Sequence, residues 1–435
     1  MDINLEKDKV TFWYHLRLVN KMKIAFLSSI YPAHAEKIYR DNPNLKDKSS
    51  DEQMEFIRWH ALSSFVRWNE MLEKKGFRVN GFNHNLPKIA NAWARENDFC
   101  PKTNQPILEI GIEKIKKFIP NIIFCFDPHS YLQNGFLKSL INSSPIKPKL
   151  IAWYGANCGD EEIFRSYDLT LSNSKHLVNS LRKKDIKSDF LQHSFDPIIL
   201  DKIIIPEKRI NKVAFFGNLD VTTGDFRERT KLLEGISKKT NLIDIYGDHI
   251  KPTRKERSKH SLLLSRQKIS SSINQFLPNK RFEYWSDKQN LPPSPWMLEK
   301  KFCSRITPPL YGQKMLQKLS SYSIALNYHN RHTGDYACNM RLFEVTGLGC
   351  TLLTDSKKDL SEYFDIDSEI LTYSSKDEAI EKINYLKENP NKAEQIRSAG
   401  QSKCLNNHTT QNQISRLSEI LNKLHRIKND ETSSR

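Results

Sequence analysis

Residues 326–355, LNYHNRHTGDYACNMRLFEVTGLGCTLLTD, decide the reading of this chain, because they set Arg341 and Glu344 between an apolar strand and a glycine-rich turn. Tyr322–Asn327 reads as a buried parallel strand. Asn339–Thr346 reads as the first turns of a helix, and Cys350–Thr354 as the next strand. A guanidinium and a carboxylate therefore stand where a strand hands over to a helix. In an open α/β sheet, the crevice at the carboxyl ends of the strands is where ligands bind. There Arg341 can grip a diphosphate with paired hydrogen bonds, and Glu344 can accept two from a ribose diol.

The same alternation extends in both directions. Lys23–Ser28 reads as the first strand, behind an extension over residues 1–21. Glu52–Lys75 has helical spacing and stops at Gly76. Strands follow at 77–81, 120–126, 149–153 and 169–172. This is one doubly wound unit, assigned to residues 22–200, with a proline-punctuated linker over 201–210. The pattern restarts at Val213–Phe216 and continues through the strands 242–246, 322–327, 350–354 and 369–373, giving a second unit over 211–409. A helix over 410–427 and a polar, disordered tail over 428–435 complete the chain. The predicted class is α/β, with two Rossmann-like domains.

Composition agrees with two domains. The chain has 435 residues, 38% hydrophobic, with a mean hydropathy of -0.62, and each half is long enough to bury its own core. No apolar run reaches the roughly 18 residues of a membrane span. The first residues lack the apolar core and cleavage site of a secretory signal, so a cytoplasmic location is expected. Seven scattered cysteines, none in a C-x-x-C pair, point to reduced thiols without zinc.

The formal charge is +17, and residues 251–307 carry much of it, with thirteen Lys/Arg against four Asp/Glu. Two readings stay open for this segment. It is a solvated, partly helical insertion, or a basic patch facing an anionic acceptor or the anionic inner face of a membrane. No specific nucleic-acid module is recognisable. A basic protein that binds nucleic acid or another anionic polymer is nevertheless the alternative to an enzyme.

Further candidates lie at strand ends. Gly217 and Asn218 follow the strand VAFF, where the lack of a side chain lets backbone approach a phosphate. Asn327, His329 and His332 follow the 322–327 strand and can meet a transferred sugar. In the first domain, Asp127 and His129 follow PNIIFCF. His129 is a candidate general base oriented by Asp127, or else a cap on the next helix. Trp93 and Glu96 are candidates for receiving an acceptor. Asp365-Ile366-Asp367 has a metal-binding spacing but follows a helix rather than a strand, so it reads as a plain loop.

Asn339, Arg341, Phe343, Glu344, Gly349, Thr354 and Asp355 spell N-x-R-x-F-E-x4-G, then a strand and T-D. Phe364, Glu369, Tyr373, Ser375, Asp377, Glu378, Gly400 and His408–Thr409 extend the pattern. Over about residues 305–412 the chain resembles the C-terminal half of bacterial glycosyltransferases with two facing Rossmann-like domains, the GT-B architecture. Within these it resembles the spore-maturation-protein-like group. The resemblance implies transfer of a sugar from a nucleotide-diphosphate donor, such as a UDP-sugar, to an acceptor hydroxyl of a bacterial surface glycan or glycoconjugate. It implies that Gly217 and Asn218 underlie the donor diphosphate, with Asn327, Asn339, Arg341 and Glu344 around the donor. Arg341 would stabilise the leaving diphosphate, no metal or other cofactor would be needed, and the last helix would cross back onto the first domain. Related retaining enzymes carry a first glutamate eight positions before the ribose-binding one. Here that position is Tyr336, which leaves the stereochemistry open and admits a catalytically degenerate scaffold as a further alternative.

Overall fold

The computed structural model describes residues 21–30, 32–61, 67–133, 135–156, 158–219, 226–248, 253–274, 300–330 and 333–433. Two six-stranded sheets, all parallel, organise them. In the first, β1 (Lys23–Ser28), β2 (Arg78–Asn83), β3 (Ile122–Cys125), β4 (Lys149–Trp153), β5 (Leu169–Ser172) and β6 (Ser188–Phe190) lie in the order β2-β1-β3-β4-β5-β6. In the second, β7 (Ile210–Phe216), β8 (Ile243–Tyr246), β9 (Ile306–Thr307), β10 (Tyr322–Asn327), β11 (Thr351–Asp355) and β12 (Leu371–Tyr373) lie in the order β12-β11-β10-β7-β8-β9. Each sheet starts in its interior and winds outward twice. The order therefore reverses between β1 and β3 in one sheet and between β7 and β10 in the other, which opens a crevice at the carboxyl edge at each reversal.

The strands read as apolar runs because helices cover both faces. Ala25 and Leu27 of β1 enter the core on one side of the first sheet, and Ile24 and Phe26 the core on the other. Ala214 and Phe216 of β7 divide in the same way from Val213 and Phe215.

Some boundaries differ from expectation. Of the helix expected over 52–75, Ser50–Ala61 and Trp68–Lys74 are helical, and 62–66 lie outside the described residues. β6 and β9 were not anticipated, since SDF and IT are too short and polar to signal a strand. Phe195, Ile199 and Ile203, placed by sequence in the first domain or the linker, are buried in the core of the second. The last helix, Thr410–Ser433, returns Ile414, Leu417, Ile420 and Leu421 to the core of the first domain beside Trp68 and Phe124. It continues past the expected end at 427 into the segment expected to be disordered. The two crossings run side by side, since the Phe195 amide donates to the His408 carbonyl and the Thr410 amide to the Phe195 carbonyl, each at 2.9 Å.

All but residue 21 of the expected extension lies outside the described residues. Of the basic insertion, the helix Arg254–Asn274 and the residues from Lys300 are described, while 251–252 and 275–299 lie outside. Among the described residues no helix is long and apolar enough to cross a membrane. All seven cysteines are free, and Cys125, Cys338, Cys350 and Cys404 are buried.

Candidate active site

The carboxyl edges of the two sheets face each other. Asn173, just after β5, donates its Nδ2 to the Cys338 carbonyl beyond β10 at 2.6 Å. Lys175 lies 3.3 Å from Asp359 and 2.6 Å from Glu362, both beyond β11. His34, on the helix after β1, stacks on Tyr311 of the second domain with ring centroids 5.4 Å apart, and Lys314 pairs with Asp41 at 3.3 Å.

Arg341 opens the helix Arg341–Gly347 and leans back over the end of β7. Its Nη2 donates to the Phe216 carbonyl at 3.4 Å, and its Nη1 meets Glu344 Oε2 at 2.5 Å and Met315 Sδ at 3.0 Å. Glu344 is buried, and Arg341 keeps 20% of its side chain exposed. The two residues picked from sequence are thus one ion pair, set against the Gly217 turn. The Gly217 amide donates to the Tyr246 carbonyl at 3.0 Å, so the glycine contributes its lack of a side chain rather than a donor. A Cβ there would sit 2.9 Å from the Phe215 ring and 3.3 Å from Arg229.

Arg229 is the residue that sequence reasoning missed here. Buried in the helix Arg227–Lys239, it ties the two lips of the β7/β10 crevice together. Its Nη1 donates to the Asn218 carbonyl at 3.3 Å and its Nη2 to the Tyr328 carbonyl at 2.9 Å and to the Asn330 side chain. Burial pushes its pKa down to about 10, so it remains cationic at neutral pH. Nothing in an R-x-R at a helix start separates such a residue from a surface arginine.

Asn327 and Asn339 form the floor. Asn339 Nδ2 donates to Asn327 Oδ1 at 2.9 Å and to the Tyr328 carbonyl at 3.1 Å, while Asn327 Nδ2 donates to Thr354 at 2.9 Å. Asn327 is buried, so its side chain shapes the crevice from beneath. His329 is fully buried, with Nδ1 2.7 Å from Asp355 Oδ1. Burial raises the Asp355 pKa, but its bonds and charge interaction with His329 and the nearby Lys357 outweigh this and hold it below the usual range. His332 lies outside the described residues. The Asp365–Asp367 segment is a turn, in which the Asp365 amide donates to Glu369 and Asp367 lies 3.7 Å from Lys382.

At the first-domain crevice the expected partnership changes. Asp127 bonds not to His129 but to His84, which stands just after β2, with Oδ2 3.1 Å from Nε2. Burial works against the charged carboxylate, yet hydrogen bonds from His84, Ser130 and Ser29 lower its pKa to about 2. His129 instead places Nε2 3.6 Å from the Cys158 sulfur and its ring against Tyr154 and Phe164. The physical reason is direction: Asp127 lies at the β1/β3 reversal and faces the β2 edge, whereas His129, two residues on, is already in the helix Pro128–Gln133. The signal available for His84 was its place immediately after a strand. Glu96, expected near an acceptor, caps Ser50 through two bonds of 2.7 and 2.6 Å.

Residues 262–419, which include Arg341 and Glu344, match the family described as Glycosyl transferase-like. No curated protein matches the chain. Among solved structures it is similar to sucrose-phosphate synthase from Thermosynechococcus elongatus, with a TM-score of 0.51, 10% identity, and coverage of 94% of this chain and 100% of that one. It is similar to a glycosyltransferase from Rickettsia africae ESF-5, with a TM-score of 0.52 and 11% identity over 92% and 98% of the two chains. It is also similar to an alpha-glucosyltransferase solved with UDP-glucose and DNA containing an abasic site, with a TM-score of 0.54 and 11% identity over 93% and 100%. At such identities the likeness is one of fold. The chain therefore has the two-domain GT-B fold of these glycosyltransferases, and its second domain is similar in sequence to the Glycosyl transferase-like family.

Proposed function

We propose that this chain is a glycosyltransferase that moves a sugar from a nucleotide-diphosphate donor, a UDP-sugar, to an acceptor hydroxyl held between the domains. One observation supports this most: Arg341, joined to Glu344 and to the carbonyl that ends β7, lies at the β7/β10 crevice inside the family-matched segment. A guanidinium has five N–H donors, more than these contacts use, so it can stabilise charge growing on a departing diphosphate. Glu344, held by Arg341, is preorganised to accept a ribose diol. Asn339 and Asn218 complete the donor side, and Arg229 fixes the loops that carry them.

The finer reading is a metal-independent hexosyl transfer building a bacterial surface glycan or glycoconjugate, by a protein of the spore-maturation-protein-like group. The work is done at the cytoplasmic membrane face, which the basic segment 251–307 meets. The UDP-glucose in one structurally similar protein favours the donor class. The test is release of nucleoside diphosphate from UDP-glucose, UDP-N-acetylglucosamine, GDP-mannose and ADP-glucose, with and without EDTA. EDTA-insensitive release from one of them is expected. Donor binding with no release would instead support a degenerate scaffold.

A further inference from the structure

We propose that His84, with Asp127 behind it, is the base that takes the proton of the acceptor hydroxyl. This inference rests on the transferase reading above. The pair stands at the reversal of the first sheet, as Arg341 and Glu344 stand at that of the second. The loops after β1, β2 and β3 converge there: Ser28 Oγ bonds Asn83 at 2.8 Å, and Asn85 exchanges bonds with both backbone groups of Ile30. The helix that follows the β1 loop carries His34 to Tyr311 of the second domain, so this cluster lies on the edge that faces the donor side.

The geometry is that of an oriented imidazole. Nε2 points at the Asp127 carboxylate, which the surrounding hydrogen bonds keep ionised as an acceptor. Nε2 therefore carries the ring proton, and the lone pair is left on Nδ1. The Tyr131 ring holds the imidazole edge-on at 5.0 Å, and its hydroxyl accepts the His84 amide at 3.2 Å, which fixes the backbone as well. His84 and Asp127 keep 21% and 23% of their side chains accessible, enough for a small hydroxyl to approach. Among the described residues His129 has no such carboxylate partner, and its Nε2 faces a thiol.

The step balances without another reactant. The acceptor O–H proton passes to Nδ1 as the acceptor oxygen bonds the anomeric carbon. The bond from that carbon to the diphosphate breaks, and its electron pair leaves on the nucleoside diphosphate. Such a direct displacement inverts the anomeric carbon.

The test compares wild type, His84→Ala and Asp127→Asn, using UDP-glucose, GDP-mannose and ADP-glucose as probes with water as acceptor. Donor binding is followed by calorimetry and turnover by diphosphate release. For His84→Ala the expected result is an unchanged donor Kd and a kcat lower by about 10²–10⁴-fold, the usual contribution of a positioned base. Added imidazole should restore part of that loss, which a merely structural role would not allow. Asp127→Asn should lower kcat with donor Kd unchanged. The β-glucose product expected from UDP-glucose is read by proton NMR before it mutarotates. Full kcat in His84→Ala, no imidazole rescue, or retention at the anomeric carbon overturns the assignment while the transferase reading stands. A wild type that binds no donor overturns both.

Discussion

Arg341 and Glu344 show how one pair of side chains can be read at two levels. Their spacing alone fits a surface helix pair, and the structure does pair them, but over the carbonyl that ends β7 and with Glu344 buried. The close packing beneath them is testable. A Cβ on Gly247 would lie 2.3 Å from the Gly217 carbonyl oxygen, whereas one on Gly159 would meet nothing within 4 Å. Gly247→Ala should therefore cost about 1–3 kcal/mol in urea unfolding and weaken donor binding, while Gly159→Ala leaves both unchanged. Arg229→Met should cost ~2 kcal/mol in the same assay, because it strands the carbonyls of Asn218 and Tyr328 that its guanidinium now satisfies.

At the scale of elements, the final helix binds the two halves together. Leu417 is fully buried against the first domain, although its helix follows the second in sequence. Leu417→Ala should cost about 2–5 kcal/mol on chemical denaturation. Glu419→Ala on the exposed face of the same helix should stay within about 0.5 kcal/mol. Elements of this kind decide what was legible in the sequence. β1, β4, β5 and β10 could be read to the residue, because buried parallel strands are short, mainly apolar runs closed by turn residues. β6 and β9 could not, because their pairing comes from the neighbouring strand rather than from their own side chains. The cluster of Arg341, Glu344 and Asn339 was legible for a related reason: the three lie within six consecutive residues of one motif. His84 and Asp127 are 43 positions apart, and Arg229 reaches 99 positions to Tyr328, so only the folded sheets bring these partners together.

Across the whole molecule, buried histidines line the junction between the halves. His34 stacks on Tyr311, His193 packs on Trp153, and His408 bonds Gln192 and the Tyr363 carbonyl. Burial lowers the pKa of all three, that of His193 to about 4. A group whose folded pKa is depressed binds fewer protons in the native state, so as pH falls through 6.5 the unfolded chain gains protons that the native one does not. Stability should therefore fall between pH 6.5 and 5, with His193 alone contributing ~2 kcal/mol at 1.36 kcal/mol per pH unit. Thermal unfolding across that range checks this, with a shallower loss expected in His193→Asn. Transfer by this fold requires that the second-domain crevice receive a nucleoside diphosphate. The most direct test is calorimetric titration of UDP, GDP, ADP and dTDP into wild type, Arg341→Ala and Glu344→Ala, each with EDTA present. One diphosphate should bind wild type, and both variants should lose it while unfolding as cooperatively as wild type. Binding that survives in both variants, or no binding of any diphosphate to wild type, would contradict the account.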